Sequence, residues 1–276
     1  MTPVFTSLND IAESIPDGSK LALAPEYNGC GCALAVVRAL INRSPKDLHL
    51  IGVPALGLQA DLLIGTNAVS KVECAAVTLG EEGLAPRFSE AIKTGDIKIL
   101  DATCPAIHGA LQASEKGVPF MPMRGILGTD LLKNRPDWTV MENPFHQSND
   151  PIILLPALKP DVALFHSPLV DEEGNVWIGV HKELMTLAHA SSETFVSYER
   201  FYQGSLLDDE KYAAGTIPST YITGVAKAER GAWPIALPNH YVRDVRHIRK
   251  YCEMASSATG FQNYLVEYVY PRIVET

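Results

Sequence analysis

The chain lacks the features that would place it on a polyanion, in a membrane or outside the cell. Its 276 residues carry 23 Lys and Arg against 32 Asp and Glu, a formal charge of −9. No run of cations interrupts that balance, which disfavours nucleic acid and anionic lipid as partners. No window approaches the roughly 18 continuous apolar residues of a membrane span, and the opening MTPVFTSLNDIAESIPDG has no basic stretch leading into an apolar one. The expectation is a protein with neither signal peptide nor span. Cysteine is sparse and odd in number: Cys30, Cys32, Cys74, Cys104 and Cys252 are scattered along the chain. That is the pattern of reduced thiols, and it predicts a cytoplasmic protein without a disulfide framework.

Several catalytic signatures are also missing. There is no G-x-S-x-G elbow, no P-loop, no H-E-x-x-H among the eight histidines and no glycosidase-like acid pair. Cys30-x-Cys32 lacks C-x-x-C spacing and has no second pair or nearby His, so small buried thiols are expected there and no metal is predicted. Asn28-Gly29-Cys30-Gly31-Cys32 is not a dinucleotide fingerprint, because Leu34 stands where a third Gly or Ala is needed.

What is present is the composition of a globular protein, 46% hydrophobic and 20% charged, enough to bury a substantial core. A single domain over 1–276 with a small accessory lobe is expected. Apolar spacing predicts a helix over 8–15, capped by Ser7 or Asn9, a strand over 20–24, and an amphipathic helix from Ala33 to about Pro45. Strands over 48–53, 72–77 and 97–100 then alternate with helices over 58–64, 86–94 and 107–116. This alternation predicts an open, mainly parallel α/β sheet with helices on both faces. Residues 118–128 read as an ordered Pro- and Gly-rich loop, and 134–150 as an excursion. The sheet is expected to resume at 152–155 and continue with strands over 162–165, 176–178, 194–198 and 221–225, with a helix over 184–190. A helical C-terminal segment over 241–269 closes the pattern.

Three places suit chemistry. Residues 28–32 lie between a strand and a helix, where free backbone amides and the helix dipole favour an anion; a tight turn needing two flexible residues reads equally well. Cys104, in DATCP, follows a strand and precedes a helix, where open α/β folds place ligands and where a thiol can acidify; a small buried hydrophobe is the alternative. Arg124 sits on a stiff loop between PFMPM and Gly125, with Gly128 beyond, and its fork suits a substrate carboxylate or phosphate, or else an ion pair with Asp130 or a neighbouring acid. Within Pro160–Gly179, PDVALFHSPLVDEEGNVWIG, the polar residues Asp161, His166, Asp171 and Asn175 read as turn formers and a satisfied imidazole. Glu199 can reach the same sheet edge, although a surface position is the commoner outcome for Glu.

That segment, with Pro156-Ala157-Leu158 before it, resembles the PALxPDVAxxHxxxxDxxGN region of the alpha subunits of family I coenzyme A transferases. The resemblance extends in order through IPDG at 15–18, ADLLIG at 60–65, GLAPRF at 83–88, GVPFMP at 117–122 and GTDLL at 128–132. It is closest to the glutaconate CoA-transferase type. The resemblance implies an alpha subunit of that fold, pairing with a homologous beta subunit in a hetero-oligomer and moving CoA between an acyl-CoA and a carboxylic acid. Coenzyme A would then be a substrate, not a resident cofactor, and the nucleophilic Glu would lie on the partner, since no beta-type S-E-N-G segment occurs here. Asn28, Gly29, Cys30, Gly31 and Gly128 become the expected CoA contacts, with Cys104 and Arg124 the expected catalytic positions. Two departures stand out. The family's V-x-G-G-F-x-x-x-G-x-P loop is replaced by APEYNGCGC at 24–32, and Cys104 stands where ring-opening relatives carry a Glu. Hydrolysis or decarboxylation of a CoA thioester on the same fold, or a non-catalytic binding subunit, are the alternatives.

Overall fold

The computed structural model describes residues 3–27, 29–146 and 149–270. After β1 (Val4–Thr6) and α1 (Leu8–Ser14), the first half runs β2 (Lys20–Leu23), α2 (Leu34–Arg43), β3 (Leu48–Gly52), α3 (Leu58–Gly65), β4 (Val69–Cys74), α4 (Pro86–Thr94), β5 (Lys98–Asp101) and α5 (Cys104–Glu115). Local chemistry sets several of these ends. Ser7 and Asp10 form a capping box at α1, Pro86 opens α4 with Gly95 left-handed after it, and Thr103 caps α5 through the Ala106 amide.

The second half returns to the sheet through β9 (Val162–Asp171), β10 (Val176–Trp177), α7 (Lys182–Ala190), β11 (Glu193–Tyr202), β12 (Thr216–Ile217) and β13 (Gly224–Lys227). The strand order is β1-β13-β11-β9-β2-β3-β4-β5, with every pairing on this path parallel. Short antiparallel β10 and β12 attach beyond β9. The chain thus leaves β2 towards one edge of the sheet and comes back to β9 on its other side. The boundary between β2 and β9 is the topological switch point, where open α/β sheets place ligands.

Alternating side chains divide between the two faces. Leu21, Leu23, Val162 and Leu164 join the core under α1, α2, α3 and the C-terminal helices α8 (Val245–Ala255) and α9 (Ala258–Tyr268), while Ala22, Ala163 and Phe165 join the core under α5 and α7. The expected single C-terminal helical stretch is therefore two helices. Ser257 breaks it by capping α9 through the Gly260 amide.

The region between α5 and β9 departs from expectation. Residues 118–128 contain a strand, β6 (Phe120–Met123), and 134–150 contain another, β7 (Thr139–Glu142), with the one-turn α6 (Leu131–Asn134) between them. The strand over 152–155 exists as β8 (Pro151–Pro156), but it pairs antiparallel with β6 and β7 and does not join the main sheet. Pro122 is tolerated because β6 is an edge strand. This small sheet packs Ile153 and Leu155 onto Ala106 and Ala110, the face of α5 turned away from the main sheet.

Candidate active site at the switch point of the sheet

Two glycines shape the loop that follows β2. Gly31 has φ 96°, and a Cβ there would lie 2.1 Å from the His166 carbonyl oxygen; Gly29 has φ 67°, and its Cβ would meet the Pro238 ring at 2.5 Å. Only glycine satisfies both the backbone angle and the approach. The His166 amide donates to the Gly31 carbonyl at 2.7 Å, so the loop is stitched onto β9 just beyond the last β2 pairing. Loop, β9 and the start of α7 enclose a cavity of about 470 Å³, within the usual range for a small-molecule site.

Its wall is largely apolar, with Pro168, Trp177, Ile178, Val180, Leu184 and Leu237 around one polar cluster. Glu183, in the first turn of α7, is the centre of that cluster. Its Oε1 accepts from the Tyr27 hydroxyl at 2.8 Å and from Cys30 Sγ at 2.9 Å, and lies 3.2 Å from His181 Nδ1. Burial favours the neutral acid, but the hydrogen bonds from His181, Cys30, the backbone and Tyr27 outweigh it and hold the carboxyl at about 2. Burial first, then the same carboxylate, push the Cys30 thiol and Tyr27 phenol well above their ordinary ranges. The cluster is therefore an ionised acid held by the protonated Tyr27 hydroxyl and Cys30 thiol, with the His181 ring beside them. Cys30 Sγ, His181 Nδ1 and the Glu183 carboxylate lie within 4.8 Å of one another, the one set of metal-ligating donors brought together among the described residues.

His166 forms the floor. It is buried, with Nδ1 2.8 Å from Ser197 Oγ and Nε2 3.0 Å from Glu199 Oε1. Burial depresses its pKa more than Glu199 raises it, which favours neutral imidazole. Glu199 is not the surface residue its type suggests. Although burial opposes its charge, His166, the Tyr241 hydroxyl and the Arg230 amide hold it at about 2. Gly231 lets the ring in, since a Cβ there would sit 2.4 Å from His166 Cε1.

The predicted site residues separate. Gly29, Cys30 and Gly31 line the cavity, and Asn28 lies outside the described residues. Cys104 is the first residue of α5, half-buried, with Sγ 3.6 Å from the Pro54 carbonyl oxygen. It faces a neighbouring depression of about 640 Å³ with His108, Gln112 and Lys182, which shares Tyr27 and Glu183 with the cavity. Arg124 is elsewhere. It makes a two-pronged pair with Asp150, Nε to Oδ1 at 2.8 Å and Nη2 to Oδ2 at 2.6 Å, beside the small sheet, and Gly128 turns in open space on the same lobe. Tyr27, Trp177, His181, Glu183 and Pro238 had no sequence signal as a group. Glu183 sits 153 residues from Cys30, and no spacing rule links them.

A cavity bounded by the loop after one central strand and by its switch-point neighbour defines the ligand site of an open α/β protein. The family model for coenzyme A transferase matches residues 5–228, and the chain belongs to that family. It is 29% identical over 246 residues, 86% of this chain and 82% of the other, to a protein of Rhodococcus jostii named cholesterol ring-cleaving hydrolase IpdA subunit. It is 26% identical over 278 residues, 98% of this chain and 94% of the other, to a 3-oxoadipate CoA-transferase subunit from Pseudomonas knackmussii. An uncharacterized protein of Archaeoglobus fulgidus is 27% identical over 94% of this chain, which spans 58% of that protein's length. The fold superposes on glutaconate coenzyme A-transferase from Acidaminococcus fermentans with a TM-score of 0.88 at 22% identity, over 96% of this chain and 88% of that one.

Proposed function

We propose that this chain is the alpha-type subunit of a cytoplasmic, heteromeric coenzyme A transferase that passes CoA from an acyl-CoA to a carboxylic acid. Family membership sets the class. The observation that carries the division of labour is the state of Glu183: the carboxylate at the cavity wall accepts three hydrogen bonds on one oxygen and is held at about 2, which makes it a poor nucleophile. The attacking carboxylate then comes from a partner subunit, as expected for a relative of proteins named as one subunit of a CoA-transferase.

In this reading, a partner glutamate oxygen attacks the thioester carbonyl, the C–S bond breaks and CoA thiolate leaves, giving a mixed anhydride. The thiolate attacks the glutamyl carbonyl and releases the first acid. The second acid then takes CoA from the glutamyl thioester by the same two steps in reverse. Splitting one transfer into two covalent stages lowers each barrier. This chain supplies the pocket: the loop at 29–32 and β9 hold the acyl end, and Glu183, Tyr27 and Cys30 form a fixed hydrogen-bonded wall. CoA passes through as substrate.

The test is the acceptor. Transfer predicts that loss of the CoA ester requires an added carboxylic acid and yields its CoA ester; product formed from water alone would favour hydrolysis, the reading that the name of the Rhodococcus relative supports.

A further inference from the structure

The described residues lining the switch-point cavity include no Lys or Arg. The one carboxylate there, Glu183, is ionised, and its Oε1 takes all three of its side-chain hydrogen bonds. The start of α7 would otherwise attract an anion, but Glu183 is itself the acidic residue of that first turn, so the helix end already has its negative charge. His181 is engaged by the same carboxylate, and His166 by Ser197 and Glu199. Lys182, the nearest cation in sequence, lines the neighbouring depression with Cys104, and Arg124 is committed to Asp150 on the small-sheet lobe. What remains for a ligand is an apolar wall of Trp177, Ile178, Val180, Leu184, Leu237 and Pro238, with the exposed, uncharged Asn239 beside it.

Resting on the transferase reading above, we infer that this cavity takes the acyl end of a CoA ester whose acyl group is neutral and mainly apolar, and that it discriminates against acyl groups carrying a second carboxylate. A second carboxylate entering the cavity would lose its water against hydrocarbon and meet a like charge with no cation to offset either cost. An aliphatic or alicyclic chain loses nothing and gains burial against Trp177 and its neighbours. Glu183 is then a specificity determinant as well as a wall.

The experiment uses the complex purified from its own cells through this chain, with pentanoyl-CoA and glutaryl-CoA, which match in acyl carbon count and differ in the terminal carboxylate. Binding is measured by calorimetry, and CoA transfer to acetate and to a panel of longer mono- and dicarboxylic acids by product analysis. Pentanoyl-CoA is expected to bind at least about tenfold more tightly and to show the same preference in kcat/KM. Glu183→Gln narrows the binding ratio at least about threefold, chiefly by improving glutaryl-CoA. Val180→Lys, at a cavity residue that is 85% exposed, moves the ratio the same way by adding the missing cation. Equal or tighter binding of glutaryl-CoA, no binding of either ester, or a ratio unmoved by both variants overturns the inference. A binding preference without CoA transfer to any acid supports it and overturns the transferase reading alone.

Discussion

Glu26 shows at the scale of one residue how this chain spends stability around its site. Its side-chain carboxyl is buried between the first amide of α3, to which it is hydrogen-bonded through Leu58, and the Arg243 guanidinium 3.2 Å away. Burial raises its pKa from 4.5 to about 7, against the lowering effects of Arg243 and the Leu58 amide. Below the unfolded value both states hold the proton. As pH rises, the unfolded chain ionises first, so the folded state loses stability until it too ionises near pH 7. A Glu26→Gln variant should therefore gain on the parent by on the order of 3 kcal/mol between acid and mildly alkaline pH, read from denaturant midpoints; a constant difference across pH would show that Glu26 keeps its charge when buried. Gly31→Ala makes a different prediction. With φ at 96° and the His166 carbonyl in the way, it should lower kcat/KM about tenfold or more by displacing the cavity wall, whereas Gly80→Ala, at φ 71° with nothing within 4 Å, should cost only about 1 kcal/mol of stability and leave activity alone.

Residue type carried part of this in the sequence. A Gly-x-Gly between strand and helix announces a close backbone approach, and the structure supplies the approaching atom. Glu183 gave no signal, and Glu199 could be placed at the sheet edge but not recognised as held there, for the opposite reason. Nothing local separates a solvated Glu from one held by donors that arrive from Tyr27, Cys30 and Tyr241, more than 40 residues away in every case.

At the scale of elements, the parallel strands and their helices follow from apolar runs and caps that lie within each segment, which is why β2, β3, β5, α2 and α4 fall close to their expected places. The small sheet was unreadable because pairing is not local. PIILLP in β8 has the composition of a buried strand, and only the antiparallel partners β6 and β7 decide which sheet it joins. Ile153 is fully buried between that sheet and α5, so Ile153→Ala should lower stability by about 2–4 kcal/mol through cavity creation. Arg124, paired on the exposed side of the same lobe, should tolerate Arg124→Ala with kcat/KM changed by less than about twofold. A large loss would bring this lobe into the active site through a partner or a movement. Cys104→Ala separates the neighbouring depression from the cavity in the same assay, since Cys104 lines the first and not the second.

For the molecule as a whole, the strand order matters more than any single motif. Leaving β2 in one direction and returning at β9 on its other side puts the loop at 29–32, His166 and the start of α7 at one point, although they are far apart in sequence. Pro160–Gly179 read as architecture, and most of it is: Asp171 and Asn175 close their turn on each other. His166 is the exception, since β9 delivers it to the cavity floor. The central claim is that this chain builds the acyl pocket while another chain supplies the nucleophile. Its most direct test is borohydride reduction of the complex during turnover with acyl-CoA, followed by peptide mapping of both chains. Reduced glutamate on the partner, with none on this chain, is the predicted result; reduction at Glu183, or turnover with no reduced glutamate on either chain, would contradict it.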